Sequence, residues 1–399
     1  MKKLFLILAL AGLCLVDTSA QKKIPETVNL LPNSARRTEI ILPQVKGLNV
    51  YKADLHVHSV YSDADLTPEQ RIKEAWFDGL DIISITDHIE YRRHEPNMLK
   101  FLVGYHNGEV VKARNSSITH KAATEEGILA DLNLPSELAA KAGKAYGDQL
   151  LVIPGCEVTR HPQKIGHYNI LWTKDNNTIY DADPLQSLRN AKAQGAFVVH
   201  NHPGWNRKTC DITEFEQQAY DEKLIDGIEI MNGVSLYPKI VDRALEKKFA
   251  MLACTDTHNL TSLYRNAGYF RTMTLIFAKD KTDKAIRKAL EKNMTLGYCA
   301  GQIAGDPKLL EEFFRASVSC KFLSRGKKGA ATYALTNTTS IPYKLRVGKR
   351  VLELPAFNTI TLTVGKTKEG ADKDVEFSVA NMWGTNYTNL KIVFKATAN

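Results

Sequence analysis

Between Tyr51 and about Ala304, short apolar runs alternate with amphipathic segments, and histidines and carboxylates recur just beyond the runs. Asp81-Ile82-Ile83-Ser84-Ile85-Thr86 is apolar at consecutive positions, which suits a strand covered on both faces, as in a parallel sheet. The segment before it is predicted helical. Thr67 can cap it, Pro68 fits its first position, Gln70 completes a capping box, and Ile72, Ala75 and Trp76 share one face before Gly79 ends it. Further strands are predicted at 150–156, 168–172, 196–200, 227–231, 249–254 and 272–278, with helices near 183–194, 236–247 and 283–292. Repeated βα units of this kind build an α/β barrel or a doubly wound sheet. The chemically active residue types fall at the predicted carboxyl ends of the strands, where barrels assemble their sites.

Two stretches depart from this rhythm. Residues 91–149 are polar, mostly helical in pattern and set between two strand ends. They read either as an insertion that overhangs the site or as an ordinary surface elaboration. After Gly305-Asp306-Pro307 the pattern turns to short alternating segments at 343–347, 351–354, 359–364, 375–379 and 390–394. Residues 306–399 are therefore expected to form a small all-β domain, sandwich-like. It holds no histidine, which makes it a structural or substrate-shaping module.

The amino terminus is a separate element. Lys2 and Lys3 precede the apolar run Leu4 to Val16, and Thr18-Ser19-Ala20 supplies the small residues of a cleavage site. Residues 1–20 read as a secretory signal peptide cleaved after Ala20, leaving 21–49 as an N-terminal segment and an exported, periplasmic or extracellular protein. The run is short for a membrane anchor, and Leu13 before Cys14 disfavours lipoprotein processing. No later stretch is apolar enough to span a bilayer. The formal net charge of +9 is scattered rather than striped, so no nucleic-acid surface is signalled, and the expected partner is a small molecule. Cys156, Cys210, Cys254, Cys299 and Cys320 are odd in number and widely spaced without a CxxC. They read mainly as buried small apolar groups, with room for one disulfide in an oxidising compartment.

All of the 11 histidines precede residue 259. His56 and His58 alternate with Leu55 and Val57, so both imidazoles leave a strand on one side and can reach one ion. Asp63 follows in the next turn. Later groups are Thr86-Asp87-His88, Gly155-Cys156-Glu157, Gly166-His167, His200-Asn201-His202-Pro203 and Asp256-Thr257-His258. A single His-x-His carries little weight. Six strand-terminal groups of His, Asp and Glu, all buried without a cation, would carry a large desolvation cost. Imidazole and carboxylate ligands without thiolates suit manganese, zinc or iron better than calcium or a closed structural zinc.

Asp54-Leu55-His56-Val57-His58-Ser59, Tyr61-Ser62-Asp63 and Ile85-Thr86-Asp87-His88 strongly resemble the first two motifs of the PHP (polymerase and histidinol phosphatase) superfamily. Glu157, Gly166-His167, His202-Pro203 and Asp256-Thr257-His258 are similar to the remaining motifs, in the same order. The resemblance covers about residues 50–300 and implies an α/β fold, a distorted (β/α)7 barrel over 50–305, with two or three divalent metal ions. It implies that His56, His58, Glu157 and Asp256 bind one metal, that Glu157 bridges to a second held by His167 and His202, and that Asp63, His88 and His258 hold a third. His200 rivals His202, which is favoured because the motif sets the ligand directly before proline. Asp54 and Asp87 are expected to orient imidazoles. Glu157, Asp256 and His202 are the residues expected to be most directly catalytic.

The activity so implied is hydrolysis of phosphate esters by a metal-bridged hydroxide, phosphodiesters first and phosphomonoesters as the alternative. A secreted binding module with an inactive barrel is the reading from another class, and an accessory role to a polymerase conflicts with the signal peptide. His161 and His94 are candidates for a general acid or substrate ligand, Arg160 and Arg207 for phosphate forks, and Trp205 for a pocket wall or a packing residue.

Overall fold

The structure, a computed structural model, describes residues 36–92, 111–112, 128–129, 131–326, 329–368 and 370–396. The expected signal peptide and His94 lie outside the described residues. Strands β1 (Asn49–Asp54), β2 (Ile82–Ile85) and β3 (Leu151–Thr159) pair in parallel. Strand β4 (His167–Leu171) then runs antiparallel between β3 and β5 (Phe197–His200). Parallel pairing resumes through β6 (Gly227–Asn232) to β7 (Ala250–Cys254). On the other side of β1 lie β8 (Met273–Ala278), β9 (Thr295–Cys299) and β10 (Gln302–Gly305), each antiparallel to the strand before it. The parallel sheet expected from repeated βα units is therefore corrected at β4 and from β8 onward. Connection length explains β4: only residues 160–166 separate it from β3, and a parallel crossover takes a dozen residues or more.

The sheet curls on itself. Ala53, Ile82, Ile153, Phe197, Leu252 and Ile276, from six strands, pack into one buried cluster. Just past β1, Val57 bridges in parallel to Thr257, just past β7. There the Asp256 N–H donates to the His56 carbonyl at 2.9 Å and the His58 N–H to the Thr257 carbonyl at 3.3 Å. Among the described residues β1 and β7 share no ladder; this bridge joins them.

Helices cover the outside. Helix α1 (Pro68–Phe77) starts with the expected capping box, Thr67 accepting from the Gln70 N–H while Gln70 Oε1 accepts from the Thr67 N–H. Gly79 ends it with φ +86°, where a Cβ would run into the Thr38 carbonyl oxygen. Helix α2 (Leu134–Gly143) lies against α1 and β3: a Cβ on Gly143 would come within 2.6 Å of Val152 Cγ2, and Trp76 meets Tyr146 at 5.1 Å between ring centroids. It is thus the crossover helix that carries parallel β2 to β3, not a wall over the site. Val111–Lys112 and Ile128–Leu129 form a short parallel pair; the rest of 91–130 lies beyond the described residues apart from Tyr91 and Arg92. Helices α3 (Pro184–Ala193), α4 (Glu214–Asp221) and α5 (Pro238–Lys247) complete the strand-to-strand connections as far as β7. A short α6 (Ser262–Asn266) precedes β8, and α7 (Asp283–Glu291) links it to β9.

The C-terminal module opens with a helix that was not expected, α8 (Pro307–Ser317), capped by Asp306 accepting from the Leu309 N–H at 2.8 Å. Its Phe314 packs edge-on to Tyr343 and Phe377. The five expected strands are present, and two more precede them. Strands β11 (Val318–Arg325), β12 (Ala331–Asn337) and β15 (Thr359–Val364) make one antiparallel sheet. Strands β13 (Tyr343–Val347), β14 (Arg350–Leu354), β16 (Val375–Trp383) and β17 (Asn389–Phe394) extend the large sheet through β10, where Ile303 and Ala304 pair with Met382 and Trp383. No helix among the described residues is long and apolar enough to cross a membrane. All five cysteines after the expected cleavage site are unpaired, with Cys156, Cys254 and Cys299 buried.

Candidate metal centre

The turns beyond the strand ends bring the expected ligands together. His56 and His58 follow β1, with Nε2 atoms 3.0 Å apart, and Asp256 Oδ1 lies 3.2 and 3.0 Å from them. Glu157, on β3, sits beneath both, its carboxylate oxygens 3.6 Å from each of the two Nε2 atoms. His88, past β2, puts Nδ1 2.5 Å from Glu157 Oε2 and Nε2 3.5 Å from Asp63 Oδ1. His258 Nε2 is 3.2 Å from the same Asp63 oxygen. His202 lies 4.0 Å from Glu157 and 3.7 Å from Asp256. His167 reaches Glu157 Oε1 at 3.3 Å although it begins its strand; β4 is antiparallel, so its amino end lies beside the carboxyl ends of β3 and β5.

Three overlapping groups could each hold an ion: His58, Asp63, His88 and His258; His56, Glu157 and His202; and His56, His58 and Asp256. The partition differs from the expected one, because His58 faces the Asp63 group as well as Asp256. His200 points elsewhere, Nδ1 2.8 Å from the Tyr220 hydroxyl and Nε2 3.4 Å from Glu216. Asp256 holds its carboxylate from a left-handed backbone, φ +51°, and His202 also has positive φ, +23°. Strain at such positions persists only where the surroundings enforce it.

The charge pattern fits bound cations. Burial opposes ionisation of Glu157, yet the imidazoles of His88 and His56 hold its carboxyl well below the usual range. Burial likewise works to lower His88, but Glu157 and Asp63 carry it up to about 10. Burial, with the neighbouring charges of His88 and His258, takes His58 down to about 4. Without a metal, protons on imidazoles balance the clustered carboxylates, in the positions cations would take. His58 Nδ1 is buried with no hydrogen-bond partner, as an open ligand atom is. Nitrogen and oxygen donors at these spacings suit a divalent transition ion.

The supporting groups differ from those expected. Asp54 and Asp87 do not touch imidazoles. Asp54 pairs with Arg271 at 2.5 Å and accepts from Thr255, while Asp87 accepts from the hydroxyls of Ser59 and Ser62; both brace the turns that carry ligands. The carboxylate that orients an imidazole is Glu229, with Oε1 2.8 Å from His56 Nδ1 and Oε2 accepting from the His202 N–H at 2.7 Å. It escaped the sequence reading, although it is the one charged residue within the apolar run Gly227–Asn232. Asn201 donates to Glu157 Oε1 at 2.8 Å, and Arg71, fully buried, ties the carbonyls of His58, Thr257 and Asn259 together.

A cavity of about 810 Å3 opens onto the cluster, lined on one side by Asp63, His88, His167, His202, Asp256 and His258. His161 and Arg160 also line it. Arg160 is no free fork: it pairs with Glu90 at 2.9 Å and bonds the Asp181 carbonyl. Nor is Arg207, which pairs with Glu216 at 2.5 Å outside this cavity. Trp205 walls the cavity rather than packing in the core, at 48% exposure.

A family model for the PHP domain matches residues 54–227. A two-domain protein from Bacteroides vulgatus, containing a predicted PHP-like metal-dependent phosphoesterase, is 31% identical with a TM-score of 0.77, covering 90% of this chain and 99% of that one. This chain belongs to the PHP family. A putative metal-dependent phosphoesterase from Bifidobacterium adolescentis is 13% identical, with a TM-score of 0.36 over 52% of this chain and 88% of that one. The lesion-specific endonuclease Q of Pyrococcus furiosus is 15% identical, with a TM-score of 0.36 over 65% and 59%. Both lie too far from this chain to bear on its activity. No curated protein matches it significantly. Membership places the chain in a family of PHP-like metal-dependent phosphoesterases, and the His, Asp and Glu groups above are residues that could hold metal ions.

Proposed function

We propose that this PHP-family protein is an exported hydrolase of phosphodiesters, acting on small molecules through two or three divalent ions of manganese, zinc or iron. The observation that carries the reading is Glu157: one buried carboxylate within 4.0 Å of His56, His58, His88, His167 and His202, at the floor of the cavity. A carboxylate so surrounded has charge to share among several cations. We read the curled sheet as a distorted (β/α)7 barrel. His56, His58 and Asp256 would hold one ion, Glu157 with His167 and His202 a second, and Asp63, His88 and His258 a third, with His58 shared toward that last group.

Bound there, the ions supply a water of lowered pKa and offset the charge of the phosphate. The chain's own residues do the rest. Glu229 fixes the His56 ring and Asn201 fixes Glu157, so the ligand atoms need no reorganisation when substrate arrives. His161 lines the cavity beyond the cluster and is the candidate to give a proton to the departing oxygen. The cavity leaves room for a second substituent on phosphorus, and binding energy from such a group can be used to raise turnover.

Metal-reconstituted protein should therefore show a higher kcat/KM for bis(4-nitrophenyl) phosphate than for 4-nitrophenyl phosphate at equal metal loading and pH. A monoester preference of about ten-fold or more would make it a phosphatase. No turnover of either, with metal bound, would leave a binding module.

A further inference from the structure

The cavity has a half that the metal-binding residues do not use. Trp205, three residues past His202, sets its indole against two ligand imidazoles, 5.3 Å from the ring centroids of both His167 and His202 at interplanar angles of 53° and 63°. The indole is still 48% exposed. Pro162, Ile165, Ala182 and Pro184 line the same space. No lysine lines it among the described residues, and its arginine is committed elsewhere. Arg160 is 5% exposed, with its guanidinium against Glu90 Oε1 at 2.9 Å, the Asp181 carbonyl at 2.5 Å and Ser187 Oγ at 3.2 Å, and stacked over Tyr180 at 5.1 Å.

A phosphate held by His167 and His202 through a metal would thus have an aromatic face and an aliphatic wall beside it, with no lysine and no uncommitted arginine among the described lining residues and with His161 engaged at the leaving oxygen. A charged second group would lose water there with neither a lysine nor a free arginine among the described lining residues to pair with, which is costly. An uncharged ring would bury apolar surface and stack on the indole, which is favourable.

We infer that this half of the cavity is a subsite for an uncharged planar ring on the ester, stacked on Trp205, and that it excludes a second phosphate or a nucleic-acid strand. The inference rests on the phosphoesterase reading and names its substrate class.

Calorimetric titration of the metal-loaded protein with three non-hydrolysable ligands tests it: phenylphosphonate, methylphosphonate and 4-carboxyphenylphosphonate. Phenylphosphonate should bind at least ten-fold more tightly than methylphosphonate, and the added carboxylate should remove that advantage. Trp205→Ala should bring the phenyl and methyl affinities within about two-fold of each other. Ile165→Lys, which adds the missing cation, should favour the carboxyphenyl ligand over the phenyl one. Equal phenyl and methyl affinities in the native protein, or a phenyl advantage that survives Trp205→Ala, overturns the subsite and leaves the phosphoesterase reading standing. Failure of all three ligands to bind overturns that reading and the subsite with it.

Discussion

Glu229 joins two ligands from different strands: one carboxylate oxygen lies 2.8 Å from His56 Nδ1, and the other accepts the backbone N–H of His202 at 2.7 Å. The first contact fixes which nitrogen of His56 is free to bind. The second holds the turn in which His202 adopts positive φ. Partners of this kind alter metal affinity by about 10–100-fold when removed. Glu229→Gln, which keeps the shape and loses the charge, should weaken metal binding by that much in a chelator-competition titration while the metal-free protein still folds. An unchanged affinity would remove Glu229 from the site.

His200 and His202 should separate cleanly. His202→Ala should lower the number of ions bound per chain, measured by elemental analysis after reconstitution. His200→Ala should leave that number intact but destabilise the fold, since it empties a fully buried position and removes the partner of Tyr220 and Glu216. The expected cost is about 2–3 kcal/mol in a denaturant titration. If His200→Ala abolishes metal binding and His202→Ala does not, the assignment of the pair reverses.

Much of this was readable in the chain because local signals agreed with the fold. The capping box at Thr67 and Gln70 and the paired imidazoles of His56 and His58 need only short-range geometry. What was not readable depends on pairing across the chain. That β4 runs antiparallel, so that His167 reaches Glu157 from the start of its strand, follows from a short connection that was passed over. The work of Asp54 is set by Arg271, 217 residues away, and no periodicity reports such a partner. Glu229 left a trace, a charge inside an apolar strand, which a search for histidine motifs does not weigh. Helix α8 carries a proline and an aspartate cap at its start, yet the strands after it drew the whole segment into an all-β reading.

Glu216 should make stability depend on acid in a defined window. Burial opposes its ionisation, but the hydrogen bond and charge of His200, the Thr213 N–H and Arg207 together hold its carboxyl down at about 2, against 4.5 when free. A carboxyl depressed on folding contributes stability above its unfolded pKa and loses it as pH falls toward the folded one. The contribution is therefore full above pH ~4.5, about 3 kcal/mol, and fades as pH drops toward ~2. Chemical denaturation of the native protein and Glu216→Gln should show the larger gap at pH 6 and a smaller one at pH 3. A gap that widens on acidification would contradict the network.

The N-terminal expectation is tested by mass spectrometry. If residues 1–20 direct export, the mature chain recovered outside the inner membrane begins at Gln21. Full-length chain beginning at Met1 and found in the cytosol would rule the export proposal out.

Metal removal should be felt by the fold as well as by activity. Asp63, Glu157 and Asp256 converge at the centre, and their neighbours must carry protons to balance them when no cation is bound. Divalent ions replace those protons with fixed charge at the ligand atoms, and binding confined to the folded state adds to its stability. An ion present at 100 times its Kd contributes about 2.7 kcal/mol per site, so two such sites contribute about 5 kcal/mol. Chelator-stripped protein should thus melt several degrees below protein reloaded with manganese or zinc, and reloading should release protons at neutral pH. Glu157→Gln should lose the share of both effects that belongs to the ion between His167 and His202, because Glu157 is the carboxylate of that group, while the groups built on Asp63 and Asp256 keep theirs. A Tm unmoved by any of manganese, zinc or iron, in protein shown to be metal-free beforehand, would mean that the converging side chains are not a metal centre.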